Sequence, residues 1–262
     1  MVLDSARAVN GEIIMSKSAS ALVVVPTYEE EGNIIPLVRA IKQEAPDVHI
    51  LFVDDASQDK TRAEIAEVGK EYEGAVHLLP RDAKLGLGTA YIAGFKWGLE
   101  RNYPVLIEMD ADFSHNPRYL PIMLNELKHN DGVFGSRYVK DGGTENWTLI
   151  RKFISQFGSL YARCILRLPL RDLTGGFNAW SEKILRTIAL DDVKSRGYAF
   201  QIELKYRAWL AGFQLKEIPI IFIDRRVGQS KMSHHIVLEA MWRVWLLLKI
   251  KKHAVRNTVR GD

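Results

Sequence analysis

The 262 residues (29.8 kDa) are 47% hydrophobic, 26% charged and 10% aromatic, ordinary globular usage that excludes a disordered or fibrous chain and allows a sizeable core. A single cysteine, Cys164, excludes an internal disulfide, no Cys/His zinc spacing occurs, and no apolar run approaches the length of a membrane span. The net charge of +4 hides an asymmetry: residues 225–262 carry nine Lys and Arg against Glu239 and Asp262, a local +7 that leaves the first 224 residues at −3 and suits an anionic partner for the basic end.

Residues 1–20 are polar, lack sustained periodicity and do not form a signal peptide, so a flexible leader is expected there. A strand–helix rhythm follows. The β-branched run 21–25 predicts a strand ended by Pro26, and Ile34, Leu37, Val38 and Ile41 fall at helical spacing. Strands are predicted at 49–53, 76–79 and 105–109, with helices at 61–72, 89–99 and 117–129 between and after them. Short apolar strands alternating with helices imply right-handed crossovers and a largely parallel α/β sheet, whose ligands bind beyond the carboxyl ends of the strands. The second half is less regular: a short strand at 133–135, a helix at 149–166, a turn cluster at 172–177, a helix at 200–210 and a strand at 218–223. The chain reads as one domain over 21–232 with a helical and basic appendage at 233–262.

The predicted strand ends are acidic. Pro26-Thr27-Tyr28-Glu29-Glu30, Asp54-Asp55 and Asp110-Ala111-Asp112 occupy three of them, where a dinucleotide-binding domain would carry a glycine fingerprint at the first. Gly86-Leu87-Gly88 comes after the wrong strand and has Tyr91 at the third glycine position, so it reads as turn and helix entry. Asp110 and Asp112, two apart at a strand end, would repel unless a cation lay between them, and paired carboxylates suit Mg²⁺ or Mn²⁺ bridging a diphosphate. Asp55 is a candidate acceptor for a base or ribose, Asp54 serves either the site or the turn, and Asp59 reads as a helix cap. Arg137, Arg151, Arg225, Arg226 and Lys231 supply phosphate-binding charge. His115, His234 and His235 are assigned loop and helix-entry roles, Cys164, Trp97, Trp180 and Trp209 core positions, and the sequon Asn146-Trp147-Thr148 is read as chance. Residues 236–248 form an almost wholly apolar stretch whose only polar members are Glu239 and Arg243. At about 20 Å as a helix it is too short to span a bilayer, and with Trp242, Trp245 and the following lysines it has the make-up of an interfacial anchor.

In order, Pro26-Thr27-Tyr28 with Glu30, Asp54-Asp55, Gly86 to Tyr91, Met109 to Asp112 with Ser114-His115, Gly135 to Tyr138, Glu145-Asn146-Trp147, Asp172 to Gly175, Gly197 to Gln201 and Arg225 through Lys231 resemble the polyprenyl-phosphate (dolichol-phosphate) mannosyltransferases of glycosyltransferase family 2. The likeness covers residues 21–250. It implies the GT-A fold, GDP-mannose and a polyprenyl phosphate as substrates, Mg²⁺ or Mn²⁺ as cofactor, and inverting transfer at the cytoplasmic face of a membrane. Carried over, it places Pro26, Tyr28, Glu30, Val53 and Asp55 around the nucleoside, and Asp110, Ala111 and Asp112 at metal, diphosphate and sugar. Arg225 and Lys231 fall on the diphosphate, and Arg137, Arg151 and Ser155 on the acceptor phosphate. Asp112, Arg137, Arg225 and Lys231 become the expected catalytic set. Ser114 stands where some members offer the metal a glutamine, Glu29 replaces a frequent Asn, and Ala56 replaces a commoner Gly or Asp. The competing readings are a related enzyme moving glucose from UDP-glucose, and a catalytically silent nucleotide-sugar-binding protein that docks on a membrane or a membrane-protein partner. A nucleic-acid module finds no reader motif in the basic end.

Overall fold

The computed structural model describes residues 8–9, 12–13, 20–195, 197–224 and 234–250. Two short strands, β1 (Ala8–Val9) and β2 (Glu12–Ile13), form an antiparallel ladder, and the rest of the expected leader lies outside the described residues. The chain then alternates β3 (Leu22–Thr27), α1 (Ile34–Glu44), β4 (His49–Asp54), α2 (Thr61–Glu71), β5 (Val76–Pro80), α3 (Leu87–Glu100) and β6 (Val105–Glu108). Next come α4 (Leu120–Glu126), β7 (Gly132–Ser136), β8 (Gly143–Glu145), α5 (Leu149–Leu166), β9 (Asn178–Ser181) and α6 (Glu182–Thr187). The last elements are α7 (Tyr198–Leu210), β10 (Leu215–Pro219), β11 (Ile221–Ile223) and α8 (His234–Leu247).

Seven strands pair in the order β10-β7-β9-β6-β3-β4-β5. The period of two in a strand splits each apolar run between the two faces: Leu22 and Val24 join the core beneath α3, α5 and α7, whereas Val23 and Val25 join the core beneath α1 and α4. The same division separates Leu51 and Val53 from Ile50 and Phe52. Burial on both faces is what a near-continuous apolar strand requires, and each such side chain contributes about 1.5–3 kcal/mol. Helix α3 reaches the sheet closely because Gly94 and Gly98 face it; a Cβ at Gly94 would lie 2.3 Å from Val24 Cγ1.

Four features depart from the sequence reading. The sheet is largely parallel as expected, but it includes a strand the sequence reading did not place, β9, antiparallel between β6 and β7. Its residues Asn-Ala-Trp-Ser carry no long apolar run; the strand is paired on both sides by β6 and β7, with Trp180 fully buried and its indole N–H donated to Glu108. The strand expected at 218–223 is two strands: β10 continues the main sheet beside β7, while β11 leaves it at Ile220 to pair with β8. The helix expected from Pro117 begins as a 3₁₀ turn, Pro117–Tyr119, and ends at Glu126. Cys164 is exposed rather than core, because α5 turns Ser159, Ala162 and Leu166 inward instead. Trp180 is fully buried as expected, and Trp97 and Trp209 are partly buried against the core. The sequon threonine also has a local use, since Thr148 caps α5 by accepting the Arg151 N–H at 3.3 Å.

Candidate active site

The carboxyl ends of β3, β4 and β6 lie side by side in the sheet, so the three acidic segments meet along one edge. The loop after β3 is stitched to the loop after β4 by four backbone N–H groups. Glu29 donates to Ser57 Oγ (2.9 Å), Glu30 to Thr61 Oγ1 (2.8 Å), Glu31 to Asp59 Oδ2 (3.1 Å) and Gly32 to Glu64 Oε1 (2.8 Å). Asp59 also accepts from Thr61 N–H at 3.0 Å, but Lys60 occupies the N-cap of α2, so Asp59 closes the turn before the helix instead of capping it as expected. Glu29 and Ala56 have φ of +58° and +59°, a left-handed conformation that costs non-glycine residues about 1 kcal/mol. Asn and Gly adopt it more readily, which is a physical reason why the Asn and Gly that the resemblance leads one to expect would fit these positions.

Asp54 and Asp55 divide their work. Asp54 is fully buried and accepts from Thr27 Oγ1 (3.1 Å), Ser57 N–H (3.1 Å), Ser57 Oγ and Arg62 Nε, so it builds the loop and does not face a ligand. Asp55 turns the other way, accepting from the Leu85 and Gly86 N–H groups at 3.1 and 3.0 Å, with Arg81 Nη1 at 2.8 Å. The glycine-bearing segment is thereby drawn over this end of the crevice, and Lys84 Nζ sits 3.4 Å from the centre of the Tyr28 ring. Glu30 accepts from Asn33 Nδ2 at 2.9 Å in the turn before α1. Val53 is fully buried with its side chain against Gly94, so a ligand contact there would come from its main chain. Pro26 closes the same end, still paired to Val53 in the ladder.

Strand β6 stops at Glu108, so Asp110 and Asp112 lie in the turn beyond it and strand alternation does not govern them. The turn is held from within: His115 Nδ1 accepts the Asp110 N–H (3.0 Å), Asp112 Oδ1 accepts the Ser114 N–H (3.1 Å), and Phe113 has φ +62°. His115 is thus a loop residue, stacked on Phe177 at 4.9 Å. Tyr91 donates its hydroxyl to Asp110 Oδ1 at 3.0 Å, and burial beside Asp110 and Glu108 pushes its pKa well above the ordinary value, which keeps it a donor. Ala111 is buried between the two aspartates, and the Ser114 hydroxyl is buried with no hydrogen-bond partner. Two carboxylates beside an orphaned hydroxyl fit a hard, oxygen-seeking cation. Among the described residues no three His, Cys, Asp or Glu side chains form a cage, so such a cation would take further oxygens from phosphate and water.

A cavity of about 270 Å³ opens beside this turn, lined among others by Asp110, Arg137, Arg151, Ser155, Tyr198 and Phe222. Arg137 is 7% exposed and forms a fork with Asp172, Nε to Oδ2 and Nη2 to Oδ1 both at 2.7 Å, while Nη2 also reaches Thr174 Oγ1 at 2.9 Å. The Asp172 charge raises the guanidinium pKa against the opposing pull of burial. Arg151 donates Nη1 to Asp224 Oδ1 at 2.7 Å and lies 4.2 Å from the Trp147 ring centre, a ring that Arg137 approaches at 5.3 Å from its own position. Ser155, one helical turn from Arg151 on α5, accepts the Tyr138 hydroxyl at 2.7 Å. The predicted acceptor residues therefore converge on one cavity together with Asp110. Arg225, Arg226 and Lys231 lie outside the described residues. Asp172, Thr174 and Trp147 were visible in the sequence only as motif members, since a buried carboxylate that aims an arginine leaves no periodic signal.

The family model for glycosyl transferase family 2 matches residues 22–189. The chain is 45% identical over 223 residues to an undecaprenyl-phosphate mannosyltransferase of Micrococcus luteus, covering 85% of this chain and 91% of that one. It is 43% identical over 224 residues to a polyprenol monophosphomannose synthase of Mycolicibacterium smegmatis, covering 85% and 84%. Among solved structures, glucosyl-3-phosphoglycerate synthase from Mycobacterium tuberculosis, in a complex with Mn²⁺, UDP and phosphoglyceric acid, superposes with a TM-score of 0.62 over 88% of this chain and 77% of that one at 15% identity, a likeness of fold alone. With the acidic strand ends, the GT-A sheet and the matched length in agreement, the chain belongs to glycosyl transferase family 2, among its polyprenyl-phosphate mannosyltransferases.

Proposed function

We propose that the protein transfers mannose from GDP-mannose to a polyprenyl phosphate, with inversion, using a divalent cation held by Asp110 and Asp112. The observation that carries this reading is the wall of the cavity: among the described residues its only carboxylate is Asp110, which Tyr91 already engages, while two arginines face the same space. A hydroxyl acceptor would need a carboxylate base there. A phosphate monoester does not, because its second pKa of about 6 leaves it dianionic at neutral pH. Arg137 and Arg151 would bind and orient that dianion, with the Trp147 ring centre 5.3 and 4.2 Å from their guanidinium carbons. Asp55, Tyr28 and Glu30 would hold the nucleoside, and Arg225 and Lys231 the diphosphate. A bound Mg²⁺ or Mn²⁺ would neutralise charge on the leaving diphosphate. The deciding assay supplies GDP-mannose and undecaprenyl phosphate with and without Mg²⁺ or Mn²⁺. Lipid-linked mannose formed one-to-one with GDP is expected; preference for UDP-glucose, or binding without turnover, would replace the reading with one of its competitors.

The acceptor's lipid tail calls for a membrane, and two helices support peripheral attachment. No helix among the described residues is long and apolar enough to cross a bilayer. Helix α5 turns Arg151 and Ser155 toward the cavity and leaves Leu149, Ile150, Phe153, Phe157 and Leu160 exposed, Phe153 at 70%. A groove of about 400 Å³ is lined by Tyr138, Phe153, Phe157, Leu160, Arg163 and Arg171, and the Tyr138 hydroxyl that borders it donates to Ser155 of the cavity wall. Helix α8 buries Val244 and Leu247 and exposes Trp242, Trp245 and Leu248, with Trp245 Nε1 donating to Tyr161 of α5 at 2.8 Å. Apolar side chains, tryptophans and flanking cations form an interfacial surface, here at a membrane's cytoplasmic face. Because Val244 and Leu247 are core, deleting α8 would disturb the fold, so surface substitution is the cleaner test. Phe153→Glu/Phe157→Glu is expected to lower sedimentation with anionic vesicles about tenfold or more, and high salt to release the parent chain. Equal sedimentation of both proteins would assign these helices to another contact.

A further inference from the structure

Beneath the acceptor cavity four ionisable side chains are fully or almost fully buried, with alternating sign: Glu108 on β6, Lys205 on α7, Asp172 in the turn before β9, and Arg137 at the end of β7. Lys205 is 0% exposed, and its ammonium group touches no ligand-facing surface. It donates instead to two main-chain carbonyls, Asp172 O at 3.0 Å and Gly175 O at 2.9 Å. Asn178 Nδ2 donates to the same Gly175 carbonyl at 3.1 Å and to Gln201 Oε1 at 2.9 Å, and Gln201 in turn donates to Glu108. The turn is closed from its own side by Gly175 N–H to Asp172 Oδ1 at 3.0 Å. This turn carries the two groups that aim Arg137, the Asp172 carboxylate and the Thr174 hydroxyl. They occupy Nε and Nη2, and Nη1 makes no hydrogen bond among the described residues.

A buried ammonium is costly, and an alkyl chain would fill the same core space without charge. We propose that Lys205 is a positioning residue for the acceptor phosphate: by clamping the carbonyls of the 172–175 turn it fixes Asp172 and Thr174, and through them the guanidinium edge that Arg137 presents to the cavity. The inference rests on the proposed acceptor role of Arg137. Burial draws the Lys205 pKa down to about 8, against the raising effects of Asp172, Glu108 and Glu217 and with the lowering effect of Arg137. The clamp therefore begins to lose its proton just above neutral pH, while the acceptor phosphate is already dianionic.

The test is steady-state kinetics of the full chain, with KM measured separately for undecaprenyl phosphate and for the nucleotide sugar. Lys205→Met is expected to raise the acceptor KM about tenfold while the nucleotide-sugar KM moves less than about twofold, and Lys205→Arg to recover part of the loss. Thr174→Val, which removes one aiming group without touching the core ammonium, is expected to raise the acceptor KM alone as well. In the parent enzyme the acceptor KM should climb between about pH 7.5 and 9 with a flat nucleotide-sugar KM, a readout that does not depend on any variant folding. A folded Lys205→Met enzyme with an unchanged acceptor KM, or with both KM values raised in parallel, overturns the proposal, as does a flat acceptor profile over that pH range. Failure of the parent enzyme to use undecaprenyl phosphate at all would instead overturn the functional reading.

Discussion

Asp112→Asn is expected to abolish nearly all turnover, by about 10²- to 10³-fold or more, with little change in the fold. Asp112 lies in a turn whose backbone is fixed by the Ser114 N–H bond at 3.1 Å and by His115, and an amide oxygen can accept that bond as well as a carboxylate can. The substitution therefore keeps the turn and removes one negative charge at the place where the cation and diphosphate would meet. Asp110 cannot compensate, because it is already the other proposed ligand, with Oδ1 taken by the Tyr91 hydroxyl, and it adds no charge to replace the one lost. Titration calorimetry with Mn²⁺ supplies a second readout, expected to show weakened ion binding with the thermal transition unchanged. Near-parental turnover at saturating Mg²⁺ or Mn²⁺ would remove Asp112 from the metal site.

Arg137→Ala is expected to cost both stability and catalysis, and the two losses can be separated. Removing the guanidinium leaves Asp172 buried and uncompensated, a change that typically costs about 3–5 kcal/mol. The Asp172 carboxyl is opposed by burial but held down to about 2 by Arg137, with a further contribution from Lys205. Its ordinary value in an unfolded chain is about 3.9, so its contribution to stability is complete above about pH 4 and is lost as pH falls toward 2. Urea melts should show that acid-side slope in the parent protein and a shallower one in Arg137→Ala. The double variant Arg137→Leu/Asp172→Asn should regain part of the stability, since the amide keeps an acceptor for the Gly175 N–H (3.0 Å) and leaves no uncompensated buried charge. It should not regain use of the lipid acceptor. Recovery of acceptor turnover in the double variant would make the arginine a purely structural partner of Asp172.

Asp54 and Asp55 show where sequence reading stops. Both stand at the end of an apolar strand, and alternation says only that they point to opposite sides. Which side faces the crevice depended on Thr27, Ser57 and Arg62 converging on Asp54 from three separate segments. The same holds for Arg137: its type and motif suggested phosphate binding, but its partner Asp172 is 35 residues away and joins it only because β9 inserts antiparallel between β6 and β7.

The sequence by itself determined the strand–helix alternation, the two-sided burial of β3 and β4, the acidic strand ends and the family, because these rest on local periodicity and on ordered motifs. Tertiary structure alone decided the antiparallel β9, the departure of β11 toward β8, the exposure of Cys164 and the buried run from Glu108 to Arg137. Each of these depends on which distant side chain supplies a hydrogen-bond partner or fills a space. Four residues with no apolar run become β9 between β6 and β7, where Trp180 is fully buried and Glu108, 72 positions earlier, accepts its indole N–H. Pairings at such separations have no period, so a chain carries them without displaying them until it has folded.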